Sequence, residues 1–212
     1  MNLLLLSLNA GALPGFLLRH TGRAPSALRI GFIDDAHLPY VDQPYTSFEW
    51  TQLTDLGFRL TRMTVGKYTD AADFESDLRG VDAVYLCGGH TFVLLGALQR
   101  SGAGEVLKAR VRAGLPYIGL SAGAVVAGPT VEPVAPLDDP AEAPGVTDFT
   151  GLGLADTVVI PHADGRLPPY PSSMIDEIVR TYGGRFPLTR VNDDQALLVE
   201  DGVATIVSSP IT

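Results

Sequence analysis

The sequence predicts an α/β protein with a mainly parallel sheet sandwiched by helices. Three observations carry that prediction. Apolar runs of strand length alternate with longer segments of helical spacing along most of the chain. Glycines close the helical segments in turn, at Gly57, Gly80, Gly102 and Gly114. No internal repeat or low-complexity linker interrupts the alternation. Regular βαβα order builds a parallel sheet with helices on both faces. A chain of 212 residues suffices for one such domain, 1–212, and is short for two.

The run LLLLSL (3–8) reads as a buried first strand. No lysine or arginine precedes it and it is short, so it is not read as a signal peptide. LRIGFID (28–34) is a second strand. SFEWTQLTDLG (47–57) spaces Phe48, Trp50, Leu53 and Leu56 as a helix does. FRLTRMTV (58–65) is a third strand and DAADFESDLRG (70–80) a short helix. VDAVYLCGG (81–89) is a strand running into a glycine pair. Helices are expected over 91–102 and 105–114, then a strand at PYIGL (116–120). The segment 128–149 holds five of the sixteen prolines and reads as a long loop. DTVVIPH (156–162) resumes as a strand. SSMIDEIVRTYG (172–183) follows as a helix opened by serine caps, and PLTRVNDD (187–194) as a strand. The two segments QALLVEDG and VATIVSS read as a hairpin turning at Asp201 and Gly202.

With 15 Lys+Arg against 24 Asp+Glu, the net charge is −9. Such a chain is a poor non-specific binder of nucleic acid or anionic membrane, so neither is expected as a partner. No segment approaches the roughly 18 apolar residues of a membrane span. The single cysteine, Cys87, excludes an internal disulfide and a cysteine-built metal site. It suits the reducing cytoplasm.

The segment G-L-S-A-G (119–123) matches the nucleophile-elbow pattern G-x-S-x-G. A serine on a sharp strand-to-helix turn is lifted above the sheet edge. Glycines two residues either side let the neighbouring segments approach. The Ala122 amide then lies at a helix N-terminus, where it can stabilise an oxyanion. The alternative for Ser121 is a small-residue turn where a helix packs closely on the sheet. A second strand-to-helix junction, CGGHTF (87–92), offers the amides of Gly88 and Gly89. No G-x-G-x-x-G or Walker pattern makes it a phosphate loop.

A serine nucleophile needs a base, most often histidine. His20 and His37 lie in or near early loops and are expected to face solvent. His162 ends a strand and is the favoured base; His90, beside the glycine pair, is the reserve and a candidate lining residue. Two aspartate pairs compete for the third role. Asp138 and Asp139 lie in the proline-rich loop. Asp193 and Asp194 lie at a strand end, a better-fixed position. No H-x-x-x-H, H-x-E or EF-hand spacing suggests a metal, and no cofactor is implied.

The motifs LLLLS, GGHTF, YIGLSAGA and IPH, in that order, resemble peptidase family S51. That family includes the aspartyl dipeptidase peptidase E and is related to cyanophycinase. The resemblance implies a class I glutamine-amidotransferase-like fold and a serine-type hydrolase that acts on small peptides through an acyl-enzyme. It places the nucleophile on Ser121, the base on His162 and the third member on Asp193, with Asp194 one step away. The oxyanion donors fall on Gly89 and Ala122; Gly88 and His90, beside the elbow, are read from their position as substrate-lining residues. The chain departs from the dipeptidase where PPYPSSMIDE lacks the arginine that grips a substrate aspartate. Arg166 is the nearby cation, so Asp-X specificity is not carried over. An amidase or esterase on the same fold, or a non-catalytic ligand-binding relative, are the other readings. A monomer or homodimer is expected.

Overall fold

The computed structural model describes residues 1–41, 43 and 45–211. Its strands are β1 (Asn2–Leu6), β2 (Arg29–Ile33), β3 (Arg59–Met63), β4 (Ala83–Leu86), β5 (Tyr117–Leu120), β6 (Val158–Ile160), β7 (Leu188–Arg190), β8 (Gln195–Glu200) and β9 (Val203–Ser208). The helices are α1 (Leu13–Thr21), α2 (Tyr45–Asp55), α3 (Ala71–Leu78), α4 (Thr91–Arg100), α5 (Ala103–Arg112), α6 (Ala122–Val125) and α7 (Ser172–Tyr182).

Seven strands form one sheet in the order β3-β2-β4-β5-β1-β8-β9. The five from β3 to β1 run parallel, and β8 and β9 add an antiparallel flank. Position follows composition. Leu3 to Leu6 are at most 1% exposed, and every residue of β4 and β5 is buried, as central strands covered on both faces require. RLTRM of β3 carries two arginines and lies at the sheet edge, where long polar side chains reach water. Because β1, β2, β4 and β5 are parallel, the residues that follow them meet along one edge. Open α/β sheets place their ligands there.

The expected elements are found within a few residues of the boundaries read from the sequence. Asp201 (φ 50°) and Gly202 (φ 80°) both take the positive φ that a two-residue hairpin turn demands. Four points differ. Helix α1 has no counterpart in the sequence reading. Its signals are Pro14 at its start, Gly22 at φ 67° past its end, and Leu13, Phe16 and Leu17 buried on one face. Serines do not cap α7, because Pro171 holds the cap position and makes no side-chain bond. The strand expected over 187–194 stops at Arg190, and β7 pairs only with β6 in a separate two-stranded parallel sheet. Phe48 leaves the apolar face of α2 and is 57% exposed, while Leu53 is buried.

The long loop is packed. Val131 and Val134 are buried, two short 3₁₀ turns (Glu132–Val134 and Pro140–Glu142) shape it, and Thr130 bridges Thr150. Among the described residues, no helix is long and apolar enough to cross a membrane.

Candidate active site

Ser121 sits between the end of β5 and the start of α6 at φ 45°, ψ −105°, a strained conformation for a residue with a Cβ. The neighbouring packing holds it there. Its N–H donates to the Leu6 carbonyl at 2.9 Å, and its own carbonyl accepts from Ala124 and Val125. The flanking glycines are sterically required. A Cβ on Gly119 would stand 2.3 Å from the Gly123 carbonyl oxygen, and one on Gly123 would stand 2.2 Å from that of Leu86.

His162 follows β6, also at positive φ, 56°. Its Nε2 lies 3.1 Å from Ser121 Oγ and its Nδ1 lies 2.7 Å from Asp193 Oδ1. The imidazole is 3% exposed and stacks on Tyr170, with ring centroids 5.1 Å apart and planes 11° off parallel. Ser7, just past β1, ties the arrangement together. Its hydroxyl donates to Asp193 Oδ1 at 2.8 Å and accepts the His162 N–H at 2.7 Å. Asn9 donates through Nδ2 to the Asp193 carbonyl at 2.8 Å. Burial pushes the Asp193 carboxyl toward the protonated form. The hydrogen bond and charge of His162, the Ser7 hydroxyl and the Arg166 charge outweigh that push and hold its pKa below the ordinary carboxylate value.

The other aspartates lie elsewhere. Asp138 Oδ2 accepts from the Thr91 N–H and hydroxyl, at 2.9 and 2.5 Å, at the start of α4. Asp139 caps a 3₁₀ turn through the Ala141 N–H, and Asp194 is exposed.

The glycine pair divides its work. The Gly88 N–H is taken by Glu49, at 3.1 and 3.2 Å to its two oxygens. Gly89 sits at φ 114°, where a Cβ would stand 2.4 Å from the Ala36 carbonyl oxygen. Among the described residues, the N–H groups of Gly89 and Ala122 have no acceptor. His90 was expected to line the site, but its ring points into the protein. It is 1% exposed, and its Nδ1 accepts the Val93 N–H at 3.4 Å as the cap of α4. His37, expected to face solvent, is 5% exposed, with Nε2 3.2 Å from Glu49 Oε1. His20 is half-buried, with Nε2 2.7 Å from Glu200.

Ser121 and His162 open into a cavity of about 420 Å³. Its walls include Leu120, Leu167, Pro168, Pro169, Tyr170 and Phe48, with Glu49, Gly88, Gly89 and Asp138 as the polar part. Lysine and arginine are absent among the described lining residues. Arg166 is 84% exposed at its side chain and lies 3.8 Å from Asp164. Among the described residues, no group of three or more His, Cys, Asp or Glu could hold a metal ion.

Three residues of this site are given no site role by the sequence. Ser7 had a usable signal, as the hydroxyl ending the run LLLLS at a strand's carboxyl end. Tyr170 lies in the proline-rich PPYP. Glu49 is one carboxylate on a helix and carries no spacing signal.

The model of peptidase family S51 matches residues 14–207. A peptidase E from Streptomyces coelicolor is 36% identical over 180 residues, covering 82% of this chain and 67% of that protein. An uncharacterised peptidase from Pasteurella multocida is 35% identical over 130 residues, and the match spans only 61% of either chain. A crystal structure of a candidate peptidase E from Listeria monocytogenes superposes with a TM-score of 0.84 at 24% identity, covering 98% of both chains. The fold is thus the class I glutamine-amidotransferase-like α/β sandwich that the sequence motifs implied. With the family model matched over most of its length, the chain belongs to peptidase family S51.

Proposed function

We propose that this protein is a serine-type peptidase that cleaves small peptides through an acyl-enzyme. One observation carries the reading: a continuous hydrogen-bonded line from Ser121 through His162 to Asp193, opening into a cavity. Ser121 Oγ attacks the scissile carbonyl while His162 Nε2 takes its proton. Asp193 holds the imidazole with Nδ1–H toward itself and stabilises the imidazolium. The N–H groups of Gly89 and Ala122 receive the oxyanion. His162 then protonates the leaving amine, and a water deprotonated by the same nitrogen releases the acyl group.

A fluorophosphonate probe tests the nucleophile. The wild-type protein is expected to be labelled at one site, and Ser121→Ala to be unlabelled. Equal labelling of both proteins removes Ser121 from the role.

A further inference from the structure

Glu49 places a buried carboxylate beside the proposed acyl chemistry. It is 7% exposed, yet it lines the cavity. A side chain starting from Gly88 would meet Glu49 Oε1 at 3.2 Å and the Ser121 Cβ at 3.5 Å. The carboxylate and the nucleophile thus flank the same backbone position. Its field reaches into the protein as well. Burial first, and Glu49 next, push the Tyr85 phenol well above its ordinary value. An anion this close to the oxyanion site opposes the charge that develops in the transition state. A substrate that brings a cation to Glu49 cancels that cost.

The geometry points to Glu49 as the anchor for the free α-ammonium group of the substrate's first residue. This inference rests on the peptidase reading of the same site. With the scissile carbonyl on Ser121, the α-nitrogen of the acyl residue lies about 2.5 Å from the carbonyl carbon, fixed by ordinary backbone dimensions. It cannot stray from the neighbourhood of Gly88. Gly88 and His37 donate to Glu49 and the Tyr85 hydroxyl lies beside it, while a carboxylate offers about four acceptor sites, so capacity remains for an ammonium. The side chain of that first residue meets Leu120, Leu167, Tyr170 and Phe48, with Asp138 as the other carboxylate and no cation among the described lining residues. The substrate class is therefore an unblocked short peptide with an uncharged, apolar first residue. Neither an N-blocked peptide nor an Asp-X dipeptide fits.

The test measures kcat and KM for Leu-Ala-type peptides, free and N-acetylated, and for the Asp counterpart. Acetylation is expected to lower kcat/KM at least roughly ten-fold, the loss of one charge-assisted hydrogen bond, and Asp to be poorer than Leu by a similar factor. Glu49→Gln keeps an acceptor for the Gly88 N–H but removes the charge. It should raise KM for the free peptide roughly ten-fold or more and narrow the gap between free and acetylated substrates, while a neutral fluorophosphonate still labels it. Equal turnover of free and acetylated peptides by the wild type overturns the inference, even if the variant does not fold. An equal loss on both substrates in Glu49→Gln overturns it too, by making Glu49 a holder of the Gly88 loop. Wild-type protein that the probe does not label would instead sink the peptidase reading itself.

Discussion

Burial alone would raise the pKa of Asp193, yet its partners hold it below the ordinary value. The consequence has a definite sign. The folded pKa is lower than the unfolded one, so the ionised carboxylate stabilises the fold above the usual Asp value, roughly pH 4. That contribution is lost as pH falls through the lowered folded value. Asp193→Asn should therefore have a lower urea midpoint than wild type above about pH 4, with the two curves converging in stronger acid. On activity, Asn presents a donor toward Nδ1 and favours the wrong imidazole tautomer. kcat is expected to fall on the order of 10³–10⁴-fold, measured on whichever small peptide the wild type cleaves. At this scale, residues just past strands were legible in the sequence, because turn position itself marks them: Ser121, His162 and the Asp193–Asp194 pair, which lies in the turn before β8 rather than at a strand end because β7 stops at Arg190. Ser7 bonds Asp193 across 186 positions, and no local pattern encodes such a pairing. His37 looked like a loop residue and is buried because α2 brings Glu49 over it.

Helix α6 spans only Ala122–Val125, yet it sets the Ala122 amide and the strain at Ser121. It packs against β4 through Gly123, whose Cα approaches the Leu86 carbonyl too closely for any side chain. Gly123→Ala is expected to cost about 1–3 kcal/mol by overpacking, read from chemical denaturation. It should also slow fluorophosphonate labelling, because relief of the clash moves α6 and the elbow with it. Most elements were legible from the period of their apolar residues. Two misreadings have different causes. In α1, a glycine and a proline break up the start of a nine-residue helix, so the stripe of Leu13, Phe16 and Leu17 is short. In α2, the spacing counted Phe48 as core, but the helix's neighbour there is the cavity. Periodicity records that a face is apolar, and tertiary packing decides what that face meets.

Across the whole molecule, Cys87 reports on the centre of the sheet. It is 0% exposed, at the end of β4. Burial first, and then the charges of Glu49, Asp34 and Asp35, raise its thiol pKa well above the ordinary value. The native protein is expected to resist a thiol reagent such as dithionitrobenzoate, and the denatured protein to release one equivalent, followed by absorbance. Slow reaction under native conditions would measure how often the sheet centre opens. The fold class was readable at this scale, because alternation and glycine punctuation survive without any contact map. The docking of β8 onto β1 was not, since it joins the two ends of the chain. That pairing sets Leu3 opposite Val199 and Leu6 opposite Ala196. Ser7 and Asp193 lie just beyond it. Among the described residues, the seam between the first and the penultimate strand is thus both the strand pairing of longest range and the anchorage of the proposed catalytic aspartate. Pairings between residues this far apart in the chain raise the contact order and slow folding. A chain in which this seam is open is expected to leave His162 without its orienting carboxylate, so the proposed site depends on the two ends of the sheet being joined.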